Sequence, residues 1–437
     1  MKTVHGMIAL LAIVLTSGVV AQPKMLTIEE SVRLGLENSK SLHASQMKSA
    51  YADAKANEMS ALLYPSLKVQ ASYTRLSEVP EFKIPLPGFP PIFPFIPNTY
   101  AARASFQQPL FTGWKLQGAA DNASYQADAA RNDVTKDKAE LMFAIKSQYW
   151  YLFKAKEVKR LADENVSQFS AHLQDAEHLL DQGLATTNDV LKVKVQLSNS
   201  NILQSDAANN VKLATITLNS TIGLPLDTEI GIASALTPSS REFPELQNLL
   251  GSAGTNRPDV LAMESRVRAS DAAVSSAIGG WFPQIFLTGN YYYSRPNQRY
   301  IPTVDAFKDT WDFGVSLQFD IWNNLTTVHQ TSQAKAQSAQ LRDGLATLKD
   351  GITLEVTQCY LGYQQSVERI RLSELSVDQA NESYRMTAEK FKSGLMTSTE
   401  LIDAQVSLLQ AKLQLTEALV EHELAEARLE KAIGEMH

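Results

Sequence analysis

Short segments of the chain alternate apolar and polar side chains, a pattern typical of a β-strand with one apolar face. The apolar positions are Leu67, Val69, Ala71 and Tyr73, then Tyr100, Ala102, Ala104 and Phe106, and finally Phe313, Val315, Leu317, Phe319 and Ile321. The alternation predicts strands at about 67–75, 100–110 and 312–321, with a weaker partner at about 285–293. Segments of about ten residues with this pattern match strands that cross a bilayer between lipid and a wet lumen.

Most of the remaining chain shows helical periodicity. It predicts helices over residues 27–62, 112–182, 187–220, 245–279, 323–393 and 398–433. Each of the two long helices would extend about 107 Å, and two short helices placed end to end would match one long helix. The last helix carries two apolar stripes, one that begins at Leu401 and Ala404 and one that begins at Ile402 and Val406. Two stripes predict two neighbouring helices, as in a helical barrel, with an ordinary bundle core as the alternative.

The two halves of the sequence match each other. Residues 183–187 (GLATT) match 394–398 (GLMTS) at an offset of 211 positions, whereas Asn38 matches Asn256 at an offset of 218. An insertion in the proline-rich stretch near residues 79–98 accounts for the difference, and a loop tolerates it. The match predicts three regions after a signal peptide. They are a first structural repeat over 22–225, a linker over 226–244 and a second repeat over 245–437.

Residues 1–21 have the features of a secretory signal peptide. Lys2 supplies a positive start, the stretch from Met7 to Val20 is apolar or small, and Ala21 completes a small-residue cleavage site. No later segment contains 18 consecutive apolar residues, so no transmembrane helix is predicted. The chain is therefore expected to be exported, either as a soluble protein or as part of an outer-membrane β-barrel.

Four strands per chain are too few to close a barrel, for which about eight are needed. An open sheet edge is not tolerated in lipid, because its backbone groups find no water to bond. Several chains must therefore share one barrel, and three chains would supply twelve strands. A soluble four-stranded sheet, with Lys68 and Arg103 facing solvent, is the alternative.

Two similar short sequences separate the long helices from the helices that follow them. Each begins with a glycine that suits the left-handed position at a helix end, and then has a threonine and an acid spaced as a capping box. The glycines are Gly183 and Gly394, and the capping pairs are Thr186 with Asp189 and Thr397 with Glu400. These features predict tight helical hairpins at the end farthest from the strands.

In their order and spacing, these motifs resemble the TolC family of outer-membrane efflux proteins. The resemblance covers nearly all of the mature chain and includes residues 107–113 (QQPLFTG) and 401–405 (LIDAQ). It implies a mainly α-helical fold with a small β part, in which a trimeric twelve-stranded outer-membrane barrel is continuous with a periplasmic α-helical barrel. It also implies a passive exit channel of a tripartite efflux or type I secretion system. The partners would be two further copies of the chain, outer-membrane lipid, a periplasmic adaptor protein and a proton-driven or ABC inner-membrane pump.

The resemblance also assigns acidic residues to a gate at the periplasmic end of the tunnel. Asp403, Glu400 and Asp189 occupy the matching positions, and three copies of each would make a negatively charged ring. Capping alone could explain Glu400 and Asp189. Asp403 has no capping role, and its counterpart in the first half is Lys192.

The same tips carry the positions that contact the adaptor in the family. They are Gly183, Leu184, Gly394 and Leu395. The family often has a basic residue in its gate two positions after the second tip glycine, where this chain has Met396. Lys392 is a candidate to replace it.

Composition and motifs argue against other functions. A net charge of -7 disfavours nucleic-acid binding, and the sequence has no HExxH, GxSxG, GxGxxG or P-loop motif. We therefore expect no enzyme, no cofactor and no metal site, and we expect the seven scattered histidines to lie at the surface. Cys359 is the only cysteine and is predicted to be a small buried side chain. The alternative function is a periplasmic or surface coiled-coil scaffold or adhesin without a channel, which would not need amphipathic strands.

Overall fold

A computed structural model describes residues 24–78, 95–233 and 241–436, so the candidate signal peptide and most of the proline-rich stretch lie outside the described residues. The helices are α1 Ile28–Asn38, α2 Lys40–Ala61, α3 Lys115–Asp181, α4 Thr187–Ile222, α5 Leu246–Asn256, α6 Pro258–Ile278, α7 Thr326–Lys392 and α8 Ser398–Ala432. The strands are β1 Lys24–Leu26, β2 Ser66–Arg75, β3 Asn98–Phe111, β4 Ile230–Ile232, β5 Gln284–Arg295 and β6 Lys308–Gln318. The chain is thus mainly α-helical with a small β part. Across these described ranges, no helix is both long enough and apolar enough to span a membrane.

The described residues divide into two compact units. The first contains residues 24–39, 144–233 and 366–424, and the second contains 40–78, 95–143, 241–365 and 425–436. The long helices α3 and α7 contain 67 residues each and contribute to both units. Helices α4 and α8, which follow them, contain 36 and 35 residues.

Two of the predicted helices are wrong in one respect, because each is two helices. The segment 27–62 is broken at Ser39 and the segment 245–279 at Arg257, where the backbone is extended with ψ of 113° and 127°. Pro258 begins α6 and disfavours a helical conformation for the residue before it. Periodicity does not reveal either break, since one extended residue shifts the apolar pattern by a single position.

The first unit contains a small parallel sheet, formed by β1 and β4, that the sequence does not predict. Two side chains of α3 reinforce it from one side. The hydroxyl of Tyr149 donates to the carbonyl of Leu26 at 3.1 Å, and the amine of Lys156 donates to the carbonyl of Ile230 at 2.6 Å. Strands of three residues are too short to show alternation, and β4 lies in the segment 226–244, for which a linker is predicted.

The second unit contains an antiparallel sheet in the order β2-β3-β5-β6. Its register sorts the side chains by polarity. Leu67, Phe106, Gly289 and Phe313 pair in succession across the four strands and belong to an apolar face. Leu67 is 73% exposed and Phe313 is 64% exposed, so no described part of the chain covers this face.

The opposite face of the sheet carries a polar network. The guanidinium of Arg103 donates to the side-chain oxygen of Asn290 at 2.7 Å, and the Asn290 amide donates to Asp312 at 2.6 Å. Arg299, in the loop after β5, pairs with Asp312 at 2.5 Å, and its guanidinium lies 4.6 Å from the ring centroid of Tyr292. The network therefore links three strands and one loop on a single face.

Strand β6 begins at Lys308 and ends at Gln318, whereas the alternation predicts a strand at about 312–321. The last pair of the ladder joins Gln318 to Gln284, the first residue of β5. Pro283 precedes Gln284 and has no backbone N–H with which to extend the ladder. The apolar residues after Gln318 therefore continue the alternation in sequence but lie beyond the sheet.

The second unit also brings the residues just before the second repeat beside the last helix of that repeat. The guanidinium of Arg241 pairs with Glu430 at 2.5 Å and with Glu435 at 2.7 Å. The same unit contains a cluster of buried apolar side chains, and the half-buried Cys359 packs against this cluster. Its members include Leu249, Val260, Ile352, Val356 and Leu429. Burial raises the pKa of the Cys359 thiol, so this cysteine is a poor nucleophile at neutral pH.

Two glycines allow a comparison of a packed and an unpacked position. They are Gly183, shortly before α4, and Gly223, directly after it. Both have left-handed backbones, with φ of 74° and 76°. A Cβ on Gly223 would lie 2.5 Å from the Cβ of Asn38, whereas a Cβ on Gly183 would have no described atom within 4 Å. Each Gly→Ala substitution costs about 1–2 kcal/mol for the left-handed conformation, and Gly223→Ala adds about 1–3 kcal/mol of overpacking. We expect the larger fall in thermal stability for Gly223→Ala, measured by circular dichroism in detergent; equal falls would contradict this packing.

Candidate functional site

Two helical hairpins, α3–α4 and α7–α8, end in the same backbone motif. In the first, the N–H of Gly183 donates to the carbonyl of Leu180 at 2.9 Å, and the N–H of Leu184 donates to that of Leu179 at 2.8 Å. The second hairpin repeats both bonds, from Gly394 to Phe391 and from Leu395 to Lys390, at 3.0 Å and 2.9 Å. These bonds satisfy the last carbonyls of each long helix, and the positive φ of each glycine makes them possible.

A capping box then begins each of the following helices. The hydroxyl of Thr186 donates to Asp189 at 2.7 Å and its backbone N–H does so at 3.1 Å. Thr397 donates to Glu400 in the same way, at 2.8 Å and 2.7 Å. These bonds hold the pKa of both carboxyl groups below their usual values, because they stabilise the charged form. Two of the three acids of the expected gate are therefore engaged in caps.

Asp403 lies in a different environment. It lies one turn beyond Glu400 on α8 and is exposed. No hydrogen bond or ion pair joins its carboxylate to another residue of the described chain. Asp403 is therefore the acid of the three whose charge remains available to solvent or to solutes.

The tips also expose two large apolar side chains. Leu184 is 73% exposed and Leu395 is 76% exposed, and each follows the glycine that ends a long helix.

A hydrogen bond connects the second turn of α4 to the first turn of α8. The amine of Lys192 on α4 donates to the hydroxyl of Thr399 on α8 at 3.1 Å. Lys192 is the counterpart of Asp403, so the two halves differ here in both charge and partner. Lys392, the candidate replacement for a basic gate residue, is exposed and has no ion pair among the described residues.

The expectation that the histidines lie at the surface is wrong for His172 and His422, which are 3% and 2% exposed. His172 lies on α3, where its ring nitrogens are 3.2 Å from the side-chain oxygen of Gln405 and 3.1 Å from the hydroxyl of Ser398. Sequence reasoning missed this contact. A signal was present, since His172 falls three residues after Phe169 and four before Ala176, on one buried helix face.

The described residues contain no group of three or more His, Cys, Asp or Glu side chains arranged to hold a metal ion. The partners of His172 are a hydroxyl and an amide, which suit hydrogen bonding rather than metal coordination. The chemistry of the tips is thus that of charge, hydrogen bonding and exposed apolar surface.

A comparison with protein families identifies the chain. The model of the outer membrane efflux protein family matches residues 32–224 and again residues 249–435. The chain belongs to this family. Among its relatives, it is 22% identical to the outer membrane efflux protein BepC of Brucella suis, over 75% of this chain and 71% of BepC. It is also 22% identical to TolC of Vibrio cholerae, over 76% of each protein.

Solved structures of similar fold agree with this assignment. VceC, an outer membrane protein of Vibrio cholerae, superposes with a TM-score of 0.79 at 18% identity, over 93% of this chain and 96% of VceC. A membrane protein of Pseudomonas aeruginosa gives a TM-score of 0.81 at 18% identity, over 93% of each chain. At this identity the likeness shows the fold.

Family membership gives the general function. The protein is an outer-membrane exit channel for efflux or secretion, with a large periplasmic helical part. A coiled-coil scaffold or adhesin without a channel is not supported. The solved structures of similar fold include the outer-membrane channel OprN and the outer-membrane channel CmeC of Campylobacter jejuni.

The caps predict different effects for neighbouring acids. Glu400→Gln removes the charge that accepts from Thr397, so we expect faster hydrogen exchange of the backbone amides in the first turn of α8. Asp403→Asn is the matched control and should leave these amides unchanged at pH 7. Since the pKa of Glu400 is lowered from 4.5, the cap is at full strength above that pH and weakens as the pH falls below it. Equal acceleration in both variants would contradict the capping role.

Proposed function

We propose that three copies of this chain form one channel, in which their sheets close a twelve-stranded barrel and their helices form a periplasmic tunnel. The observation that carries the proposal is the four-stranded sheet with two edge strands and one uncovered apolar face. Such a sheet is not tolerated in lipid until neighbouring chains pair its edges. Three sheets supply twelve strands, which exceeds the minimum of about eight.

The polarity of the sheet assigns its two faces in this arrangement. The apolar face, with Leu67 and Phe313, contacts lipid, where exposed hydrocarbon is stable. The opposite face, with Arg103, Asn290 and Asp312, lines the lumen, where water solvates the charged groups that the bilayer would not. The loop between β5 and β6 is at the outer end of the barrel, because α6 and α7 connect to the opposite end of the sheet, which faces the periplasm.

Exposed apolar stripes on two helices support contact between copies. In the first unit, α4 and the later part of α7 each expose large apolar side chains at helical spacing. They are Leu191, Val195, Ile202 and Leu213 on α4, and Leu372, Leu375 and Met386 on α7. We infer that α4 of one copy packs against α7 of the next as in a coiled coil, because this pairing removes both stripes from water.

The tips then form the periplasmic end of the tunnel. We infer that Asp403 lines the constriction, with Glu400 and Asp189 contributing charge from their caps. Three copies of these acids would concentrate cations and repel one another. Gly183, Leu184, Gly394 and Leu395 form the surface for a periplasmic adaptor, through which an inner-membrane pump, proton-driven or ABC, supplies the energy for transport.

The proposed organisation of the chain follows from the same arrangement. Residues 1–21 direct export and are removed, residues 22–225 and 245–437 are the two structural repeats, and residues 226–244 link them. The two separate matches of the family model, at 32–224 and 249–435, support this division. The relatives include a toxin and drug export protein of Aggregatibacter actinomycetemcomitans and a pyoverdine export protein of Pseudomonas putida. Because these relatives export such different cargoes, we infer that the pump rather than the channel selects the cargo. The same holds if the pump belongs to a type I secretion system.

The oligomeric state tests the proposal directly. Light scattering in detergent should give three times the mass of the mature chain for protein extracted from the outer membrane. Ile202→Asp places a charge in the exposed stripe of α4 and should shift the protein towards smaller species. The neighbouring Asn201→Asp adds the same charge without removing apolar surface and should remain trimeric. A wild-type monomer, or recovery in the soluble periplasmic fraction, would refute the shared barrel.

Ion selectivity tests the gate. We expect the double variant Asp403→Ala, Glu400→Ala to lose cation preference in planar bilayers, because the negative ring attracts cations. The reversal potential in a salt gradient is the measurement. Asp227→Ala removes an exposed acid beyond the other end of α4 and should leave the potential unchanged. An unaltered potential in the double variant means that these carboxylates do not line the constriction.

A further inference from the structure

A buried imidazole bridges α3 to the beginning of α8. Nδ1 of His172 lies 3.2 Å from Gln405 Oε1, and Nε2 lies 3.1 Å from Ser398 Oγ. The ring stacks near Phe169 of the same helix, and the ring of Phe391 on α7 meets it edge-on at 5.1 Å between centroids. His172, Gln405 and Phe391 are all buried, so the imidazole is part of the packing of three helices.

The two hydrogen-bond partners of His172 flank the acidic segment of α8 in sequence. Ser398 and Gln405 are seven positions apart, which is about two helical turns, and therefore lie on one face. Glu400 and Asp403 lie between them and are exposed. Because the imidazole contacts both ends of this segment, it acts with the buried side chains of Leu401 and Ile402 to fix the rotation of the first two turns of α8 about the helix axis. That rotation determines where the two carboxylates point.

We propose that His172 is a positioning residue for the acidic gate. The neutral His172 ring holds the segment from Ser398 to Gln405, and protonation of the ring releases this segment. The inference rests on the proposed role of Asp403 and Glu400 at the constriction. It adds a residue that neither carries the gate charge nor contacts the solute.

The hydrogen bonds explain why the neutral ring fits. With the proton on Nδ1, the ring donates to Gln405 and accepts at Nε2 from the Ser398 hydroxyl. A second proton makes Nε2 a donor, so the Ser398 hydroxyl must turn to accept. The resulting cation would be buried between Phe169 and Phe391 and beside the first turn of α8, where the helix dipole is positive.

The surrounding charges do not remove this cost. Burial lowers the pKa of His172, while the Gln405 hydrogen bond and the charge of Asp175 oppose that effect to a smaller extent. Charged residues of the helices packed around His172 include Asp175 and Glu177 on α3, Lys192 and Lys194 on α4, Glu389, Lys390 and Lys392 on α7, and Glu400 and Asp403 on α8. Lys194 is paired with Glu177 and Glu389 with Arg385. Since the folded pKa lies below 6.5, the bridge is at full strength above pH 6.5. Each unit below that pH shifts the balance towards the released segment by up to about tenfold.

Conductance against pH tests the inference with the whole protein. Between pH 7.5 and 5.5, carboxylates of ordinary pKa remain ionised. A change in this window that is lost in His172→Gln therefore reports on His172. We expect the resting conductance of the wild-type channel to rise as the pH falls, and that of His172→Gln to be independent of pH. His178→Gln is the matched control, because His178 is exposed and six residues further along α3. It should keep the wild-type profile.

Hydrogen exchange separates this inference from the proposed channel function. After correction for the intrinsic pH dependence of exchange, residues 398–405 should lose protection between pH 7.5 and 5.5 in the wild type but not in His172→Gln. Ser398→Ala keeps the imidazole and loses one partner, so it should reduce protection already at pH 7.5. A protein without conductance that still shows these changes would refute the gate and leave the bridge intact. A conducting channel with a flat wild-type profile, or with the same profile in His172→Gln, would overturn the role of His172.

Discussion

The backbone N–H and C=O groups on the outer sides of two edge strands need hydrogen-bond partners, and this need constrains the whole proposed assembly. Within the described chain, β2 and β6 are each paired on one side only, and the sheet between them has a continuous apolar face. Such a sheet can be in lipid only if its outer N–H and C=O groups bond to another chain, since hydrocarbon offers them no partner. The proposed sharing of one barrel by several chains rests on this requirement before any helix is considered. The apolar stripes on α4 and α7 also need a neighbouring chain, because no described residue covers their side chains.

The two halves of the chain share a backbone plan and differ in the chemistry that it carries. Both hairpins end in the same pair of hydrogen bonds, and both short helices begin with a capping box. One turn later the resemblance ends, because Lys192 bonds to Thr399 whereas Asp403 remains unpaired in the described chain. The shared features are those that end and begin helices. The features that differ are exposed and give the proposed gate its sign of charge.

The sequence was informative wherever one local pattern determines the structure. Alternation gave the strands of the large sheet, and glycine followed by a capping box gave the hairpins. Prediction from the sequence failed where a structural feature depends on a residue that is distant in the chain. The end of β6 is set by Pro283, which precedes the adjacent strand β5, and β1 forms only because β4 lies beside it. His172 shows the same limit, since its position on a buried face was visible but its partners on α8 are more than 200 residues away. Asp403 could be proposed from the family resemblance, and the structure adds that caps engage its two acidic companions.

The pairing of β1 with β4 has a consequence for how such a chain can arise. It brings the first described residues of the chain beside those that follow the first hairpin, so the first half begins and ends at one place. The two ends of the second repeat also lie close together, because Arg241, just before this repeat, pairs with Glu430 and Glu435 near its end. A segment whose two ends lie together can be copied in a gene and joined to its copy by a short linker, without rearranging either fold. The closed form of each half thus makes tandem duplication a simple route to a protein with two hairpins in each sheet.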